Sequence, residues 1–552
     1  MIYKYAIDFG TTYSSIALRF QDDDEKKSEI IKVENGGVRA ESIPSVFYVE
    51  GEDPEDLDQL LVGRKAKKAN SRGPGQLLRE VKLPLVDGKD RYEAQDGTEY
   101  PISMLAAALL EELKEAADEA APELGIRPQG VVMGVPVDFP ESAKAVLLEA
   151  LVNADFYEDI QEAREGTEFV PEPVAAAVAY GVEITEGRRI MVFDFGGGTL
   201  DVAILELSST YDEDDEEERL PHKVLAKSGL PIGGEALTRI LFSKVFAPKY
   251  SFEIGKNRAL LGIPEQADLG SVEVWESMSS TQDGMELQDA LEELKCQLSL
   301  NDRVKDYMIR TPNCTFDART FYQSDFTRAI EKAGILDQIE EAVKKCLNKA
   351  GLDKSDIGEV LMAGGSSLIP CVQDVLEEEL GFRSRIRGCQ REKIVPRDVL
   401  FSVVRGLSVY ACRESADQLL VDDRVDHDYG VWDVKKEKVS VILPWNTLYS
   451  DTEYDRELAS GGCFKEYEVV GQTASVDIMV YEQDGDERYK VGTIPLNRIG
   501  SGKFRIFMSA NQGRLRVDIY DRHRREWYDD IPLADREFGI EKADDDDWND
   551  DW

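Results

Sequence analysis

Two short aspartate–glycine motifs carry residues able to do chemistry. In Tyr5-Ala6-Ile7-Asp8-Phe9-Gly10-Thr11-Thr12-Tyr13-Ser14 an apolar strand enters a tight turn, then a second strand with alternating apolar residues (Ile16, Leu18, Phe20). The stretch Ile190 to Ile204 repeats the plan as Phe193-Asp194-Phe195-Gly196-Gly197-Gly198-Thr199-Leu200-Asp201. Without a Cβ, Gly10 lets the backbone bend and turns the amides of Thr11 and Thr12 toward an anion. A dinucleotide or Walker loop must open a helix, but here the apolar period after the glycines is two (Leu200, Val202, Ile204), which disfavours both. The reading is two hairpins closing on phosphate, with Asp8 and Asp194 presented to one point as a Mg²⁺ clamp. A third motif, Val360 to Pro370, runs from a strand through Gly364-Gly365-Ser366 toward a helix carrying Val372, Val375, Leu376 and Leu380. A helix N-terminus there would offer unpaired amides to a nucleotide.

Turns of this kind need a large scaffold, and the chain is long enough for one. Its 552 residues suggest about three or four structural units. A composition 42% hydrophobic and 32% charged supports large cores. The net charge of −43 argues against a nucleic-acid partner, which needs a basic footprint. Seven scattered cysteines without a C-x-x-C pair exclude a disulfide framework and a thiolate zinc site, and fit a reducing compartment. Three isolated histidines leave little room for a triad. The N-terminus reaches Asp8 before any apolar run could act as a signal peptide, and no eighteen-residue apolar stretch could cross a bilayer, so the expectation is a cytoplasmic chain without a membrane partner.

Four shifts in pattern divide the chain. Residues 1–415 alternate apolar runs with amphipathic helical stretches, the mark of an α/β architecture. Tyr211 to Arg219 reads as a solvated acidic insertion. Residues 416–428 form a polar linker around Leu419, Leu420 and Val421. Residues 429–534 are all-β: Val476, Ile478 and Val480 alternate with Asp477, Met479 and Tyr481, and Leu515, Val517 and Ile519 share one face opposite Arg514, Arg516 and Asp518. Residues 535–552 are an acidic tail expected to be disordered.

At these motifs the chain resembles the heat shock protein 70 (DnaK-type) chaperones, within the actin and sugar-kinase ATPase superfamily. IDFGTTYS resembles the family's first phosphate motif, FDFGGGTLDVAIL its second and VLMAGGSSLIP its adenosine motif. Val170 to Gly181 resembles the connecting helix, VVMGVP (Val131 to Pro136) the strand ending in the switch proline, and Ile232-Gly233-Gly234-Glu235 the family's L-G-G-E. Ile442 to Thr447 and Val476 to Glu482 resemble strands of the substrate-binding β-sandwich.

The resemblance implies a two-lobed, actin-like ATPase domain followed by an all-β substrate-binding sandwich, with ATP or ADP, Mg²⁺ and a further K⁺ candidate between the lobes. Asp8 and Asp194 would hold Mg²⁺ through its waters. Thr11 and Thr12 would bond phosphate oxygens within the turn Gly10 to Tyr13, and Thr199, with Gly196, Gly197 and Gly198, would reach the γ-phosphate. Glu172 and Asp201 would order the attacking water and its cation shell, and Lys82 would face the γ-phosphate. The carboxylates at 8, 172, 194 and 201 would repel one another without a cation, so Mg²⁺ is expected to be obligatory. Glu292, Lys295 and Ser299, spaced i, i+3, i+7 on one helix face, would bind adenosine with Gly233, Gly234, Glu235, Gly364, Gly365 and Ser366. Implied partners are unfolded client polypeptides, a J-domain cochaperone and a nucleotide exchange factor, around a monomer. The chain departs from the family where Leu368 replaces the arginine that stacks on adenine and where Lys144 replaces the arginine coupling the switch proline to the β-domain. The segment Pro396 to Gly406 is longer than the family's, and no helical lid follows residue 534, which marks a lidless variant. The alternative reading is a nucleotide-sensing scaffold that binds one dedicated partner with negligible turnover.

Overall fold

The run Ile190-Met191-Val192-Phe193 contains no polar position, as a strand must when helices cover both faces of its sheet. In the computed structural model of the protein this strand is central to such a sheet. The structure describes residues 2–22, 25–50, 60–70, 75–94, 96–137, 139–180, 189–206, 222–382, 386–387, 399–413, 421–422, 424–425, 427–433, 436, 438–445, 447–469, 477–484, 487–495, 502–511 and 514–528. The expectations for the acidic insertion, for Leu419 and Leu420, for residues 396–398, for Val476 and for the tail lie outside them.

One sheet contains β1 (Tyr5–Asp8), β2 (Tyr13–Asp22), β3 (Glu25–Ile30), β4 (Val131–Val135) and β5 (Thr167–Pro171) in the order β5-β4-β1-β2-β3, with the short strand Ile43–Pro44 beside β2. A second sheet contains β6 (Arg189–Phe195), β7 (Leu200–Glu206), β8 (His222–Leu230), β9 (Glu359–Ala363), β10 (Ile386–Arg387) and β11 (Val421–Asp422) in the order β10-β9-β6-β7-β8-β11. The plan is the same in both. A strand pairs antiparallel with its successor across a glycine turn, and parallel with a later strand on its other side. Asp8 therefore ends its strand, and Asp194 stands one residue before the end of the equivalent one.

Helices fill the layers around the sheets. α1 (Ile102–Ala120) and α2 (Glu141–Asn153) pack with Ile7, Ile16, Leu18 and Met133 of the first sheet. α3 (Glu172–Ala179) lies in the core shared by both sheets. α4 (Gln282–Leu300) and α5 (Ile335–Ala350) pack with Met191, Phe193, Leu200 and Val202 of the second sheet. α6 (Ser402–Tyr410) returns to α3, and there Val174, Ala175 and Ala176 meet Val403, Val404 and Leu407 beside Ala6, Val132, Ile190 and Val192. The small residues of α3 permit close approach: a Cβ on Gly406 would stand 1.7 Å from the Ala175 carbonyl oxygen.

The linker meets the second sheet. Val421 and Asp422 pair in parallel with His222 and Lys223 at the outer edge of β8. Beyond it, two four-stranded antiparallel sheets form a sandwich. One holds β12 (Asp428–Asp433), β13 (Lys438–Leu443), β15 (Asp477–Asp484) and β16 (Glu487–Pro495) in the order β13-β12-β15-β16. The other holds β14 (Cys463–Val469), β17 (Gly502–Asn511), β18 (Arg514–Asp521) and β19 (Glu526–Tyr528) in that order. The alternation in β18 puts Val517 and Ile519 in the core with Ile506 and Met508. Asp518, on the opposite face, is buried too, because Tyr454 donates to it and Arg516 pairs with it at 2.9 Å. Among the described residues no helix is long and apolar enough to cross a membrane.

Candidate functional site

The two glycine turns face each other. A Cβ on Gly197 would lie 2.0 Å from Thr12 Oγ1, and one on Gly198 would lie 2.4 Å from Thr11 Oγ1. Glycine is thus required where the turn of one lobe meets that of the other. Gly10 is equally constrained, since its Cβ would meet the Tyr13 carbonyl oxygen at 2.2 Å. The Gly196 amide donates to Thr199 O at 3.0 Å and closes the second turn, while the amides of Gly234 and Glu235 donate to Gly196 O and Gly197 O, both at 3.0 Å. Gly234 and Glu235 therefore brace the second glycine turn from behind. Thr12 Oγ1 is buried with no hydrogen-bond partner. A buried hydroxyl left unpaired in an apolar site is costly, and a phosphate oxygen would satisfy it.

Charge gathers at the same place. Lys82 is buried and its Nζ bonds Glu172 Oε1 at 2.5 Å. It is presented by a turn in which the Leu83 amide donates to Glu80 O. Glu172 is the first residue of α3, where the helix dipole favours a carboxylate. Burial and the nearby Glu172 push Asp8 up to about 7, against the opposing pull of Lys82. Burial, then Glu172, Asp201 and Asp8, hold Asp194 well above the usual carboxylate range. Asp201 sits directly across the ladder from Asp194 and is raised to about 7 by burial and Glu172, although Thr199 and the Val137 amide (2.8 Å) both donate to it. Asp8, Glu172, Asp194, Asp201 and Lys82 thus lie within reach of one another's charge. Among the described residues no group of three or more His, Cys, Asp or Glu is placed to hold a metal ion directly.

The residues expected around adenosine are also brought together, with differences. Lys295 bonds Glu292 at 2.8 Å and Gly234 O at 2.9 Å, and Thr238 donates to Glu292 at 2.5 Å. Ser299 is buried and donates back to Lys295 O at 2.9 Å. Ser366 donates to Gly196 O at 2.8 Å. Gly364 takes φ +71°, and a Cβ there would meet Phe195 O at 2.4 Å. The third motif needs a correction: no α-helix opens at the glycines. A 3₁₀ turn occupies Gly365–Leu368, the α-helix begins at Pro370 and runs to Asp374, and Val375–Glu379 is wound as a π-helix. The fixed φ of Pro370 suits the first helical position and sets that start. Leu368 is partly buried, Tyr13 is 48% exposed, and Lys144 is buried in an ion pair with Glu141 at 2.8 Å.

Residues 84–211 and 273–404 match the family described as Hsp70 protein. Over these two stretches the chain is similar to the Hsp70 family. It is 29% identical over 385 residues to the chaperone protein DnaK of Halobacterium salinarum, covering 68% of this chain and 51% of that protein. It is 26% identical over 387 residues to the chaperone protein DnaK of Ureaplasma urealyticum, covering 68% and 54%. The chain spans about half the length of the curated relatives it matches. The family match contains Glu172, Asp194, Thr199, Asp201, Glu292, Lys295, Ser299 and Gly364 to Ser366, whereas Asp8 to Tyr13, Lys82 and Gly233 to Glu235 lie outside its two stretches.

The chain has donors suited to Mg²⁺–nucleotide: hard carboxylate oxygens around a lysine, an unpaired threonine hydroxyl and glycine turns without room for a Cβ. Some of the site leaves no local pattern in the sequence. Lys67 and Arg79 of the first lobe both bond Asp289 on α4, at 2.9 and 3.1 Å. Trp275 donates to Glu235 at 3.4 Å, and Thr238 positions Glu292. Pairs separated by 40 to 222 residues show neither spacing nor periodicity, so only the folded chain brings them into view.

Proposed function

We propose that this chain is an ATP-dependent chaperone, hydrolysing ATP to ADP and phosphate between its lobes to gate the binding of extended apolar polypeptide in its β-sandwich. The observation that carries the reading is the buried Lys82–Glu172 pair within charge range of Asp8 and Asp194, together with two glycine turns that meet face to face. In this reading residues 1–415 form the nucleotide-binding domain, 416–428 the linker, 429–534 the substrate domain and 535–552 the acidic tail. Bound Mg²⁺–ATP supplies the scissile anhydride and a Lewis acid. Asp8 and Asp194 accept hydrogen bonds from waters of the ion. Thr11, Thr12 and Thr199 donate to phosphate oxygens. Lys82 supplies positive charge where negative charge builds on the γ-phosphate, and Glu172 and Asp201 orient the attacking water. Glu292, Lys295, Ser299 and Ser366 hold the nucleoside.

The pairing of Val421 with the edge of β8 supports communication between domains, because a strand that joins the nucleotide-binding sheet can report its state. The coupling must be reciprocal and is typically about 1–3 kcal/mol, so apolar peptide should speed turnover. A J-domain cochaperone and a nucleotide exchange factor fit the same cycle, with a monomer working in the reducing cytoplasm, where its six described cysteines would stay free thiols. Single-turnover hydrolysis with and without a saturating apolar peptide tests the proposal. Turnover quickened by peptide is the expected result. Measurable nucleotide binding with negligible turnover would instead favour a nucleotide-sensing scaffold, a reading to which the Lys144–Glu141 pair lends weight, since a point charge already engaged within α2 replaces the family's coupling arginine.

A further inference from the structure

A cavity of about 280 Å³ opens between the lobes beside the nucleotide site. Its first-lobe wall is the segment 75–80 with Tyr92, and its second-lobe wall includes Glu235, Trp275 and Glu276. Four carboxylic acids line it (Glu80, Asp96, Glu235 and Glu276) against one guanidinium, Arg79. That guanidinium is already engaged, bonding Asp289 at 3.1 Å. Asp96 accepts from Gln76 and from the Thr98 amide, and Glu235 accepts from the Trp275 indole. Glu80 differs: it lines the cavity, and its side-chain carboxyl accepts no hydrogen bond and makes no ion pair with any described group. Burial, Glu235 and Glu276 push its carboxyl up to about 8, with Arg239 and Arg79 pulling the other way. Arg239 makes no ion pair with either glutamate among the described residues. Glu80 also holds φ +56°, a left-handed conformation that a non-glycine residue keeps only when its surroundings enforce it.

The carboxylates are spread along walls that also present an indole and a phenol. No three ligating side chains among the described residues converge for a metal ion. Aromatic faces beside a carboxylate with no partner suit an organic cation. We propose that this interlobe cavity binds a guanidinium or alkylammonium group, with Glu80 and Glu276 as its charge partners and Trp275 and Tyr92 as its flanking faces. The group can come from a small free molecule or from a basic side chain of another polypeptide. Since the walls belong to both lobes, an occupant ties the lobes together as Lys67 and Arg79 do through Asp289.

Calorimetric titration of the nucleotide-free full chain tests this, using n-butylguanidine and acetyl-Gly-Arg-Gly-amide against their neutral counterparts, n-butylurea and the citrulline peptide. At least one guanidinium probe should bind saturably and about tenfold tighter than its neutral counterpart. Glu80→Gln should weaken that binding about tenfold and the more exposed Glu276→Gln about threefold, with circular dichroism showing both variants folded. Binding of butylguanidine but not the peptide assigns the site to a small free cation, and the reverse assigns it to a polypeptide side chain. Equal binding of charged and neutral probes, no binding of either guanidinium probe, or wild-type binding by both variants overturns the proposal. Because the titration is read without nucleotide, its failure leaves the ATPase reading untouched.

Discussion

The two central sheets share a strand order but divide the chemistry unequally. In the first, the residue paired with Asp8 is Ser15; in the second, the residue paired with Asp194 is Asp201. The first lobe contributes Asp8, the acid Glu172 that follows β5 and is already paired with Lys82, and donors, namely Thr11, Thr12 and the lysine brought in by the Glu80–Leu83 turn. The second lobe contributes two acids on neighbouring strands, each pushed upward by burial and by the other charges. One ladder plan, used twice, thus yields a donor side and an acceptor side facing each other. On the proposed reading, an anion and a cation would both be accommodated only where the two sides meet.

The sharpest way to break this comparison is to remove the donor side's charge. Lys82→Ala should slow single-turnover ATP hydrolysis by about 10²–10³-fold while ADP affinity, read by calorimetry, stays close to wild type. Normal hydrolysis in this variant would remove the division of labour. A second test addresses what holds the lobes in register. Gly406→Ala forces a Cβ against the Ala175 carbonyl, so denaturant unfolding should show a loss of about 1–3 kcal/mol. A wild-type midpoint would mean that α3 and α6 do not touch there.

The acids give a test in pH. Asp8, raised to about 7 in the folded metal-free chain, titrates in the usual carboxylate range, near 4, once unfolded. Between those values the folded chain binds a proton that the unfolded chain has lost, so this group makes stability fall as pH rises through that window. Asp8→Asn should therefore raise the melting temperature of the metal-free protein at pH 8, and by less at pH 5. A gain that is largest at pH 5 would contradict the arrangement. The smallest expected effect is at the nucleoside. Leu368→Arg should restore a cation–π contact on adenine and tighten ADP binding by about 1 kcal/mol. No change would mean that the base does not lie against the Gly365–Leu368 turn.

The hairpins were legible because their signals are local. The apolar period of two after Gly10 and Gly198 fixes a strand, and a strand on each side of a glycine turn leaves the aspartates at the turn. The repeated strand order was not legible, because the parallel partners β4 and β9 lie more than a hundred residues from the strands they join, and shared topology left no tandem repeat in the residues. The third motif misled for a similar reason. The apolar spacing from Val372 onward reads as one helix, but it does not show that Gly365–Leu368 winds as a 3₁₀ turn or that Val375–Glu379 widens to a π-helix. Lys82 lay between. By residue type it would be an exposed lysine, and only the neighbouring motif suggested a buried one. Ser299 had the right helix face, yet its hydroxyl turns back to the Lys295 carbonyl.

The joining of Val421 and Asp422 to β8 is a backbone strand pairing. An edge joined in this way senses whether a backbone can lie extended and donate, and is largely blind to which side chains the segment bears. A connector with a single short aliphatic run can consequently serve as well as a longer one, and the sheet border will tolerate drift in its letters while forbidding proline.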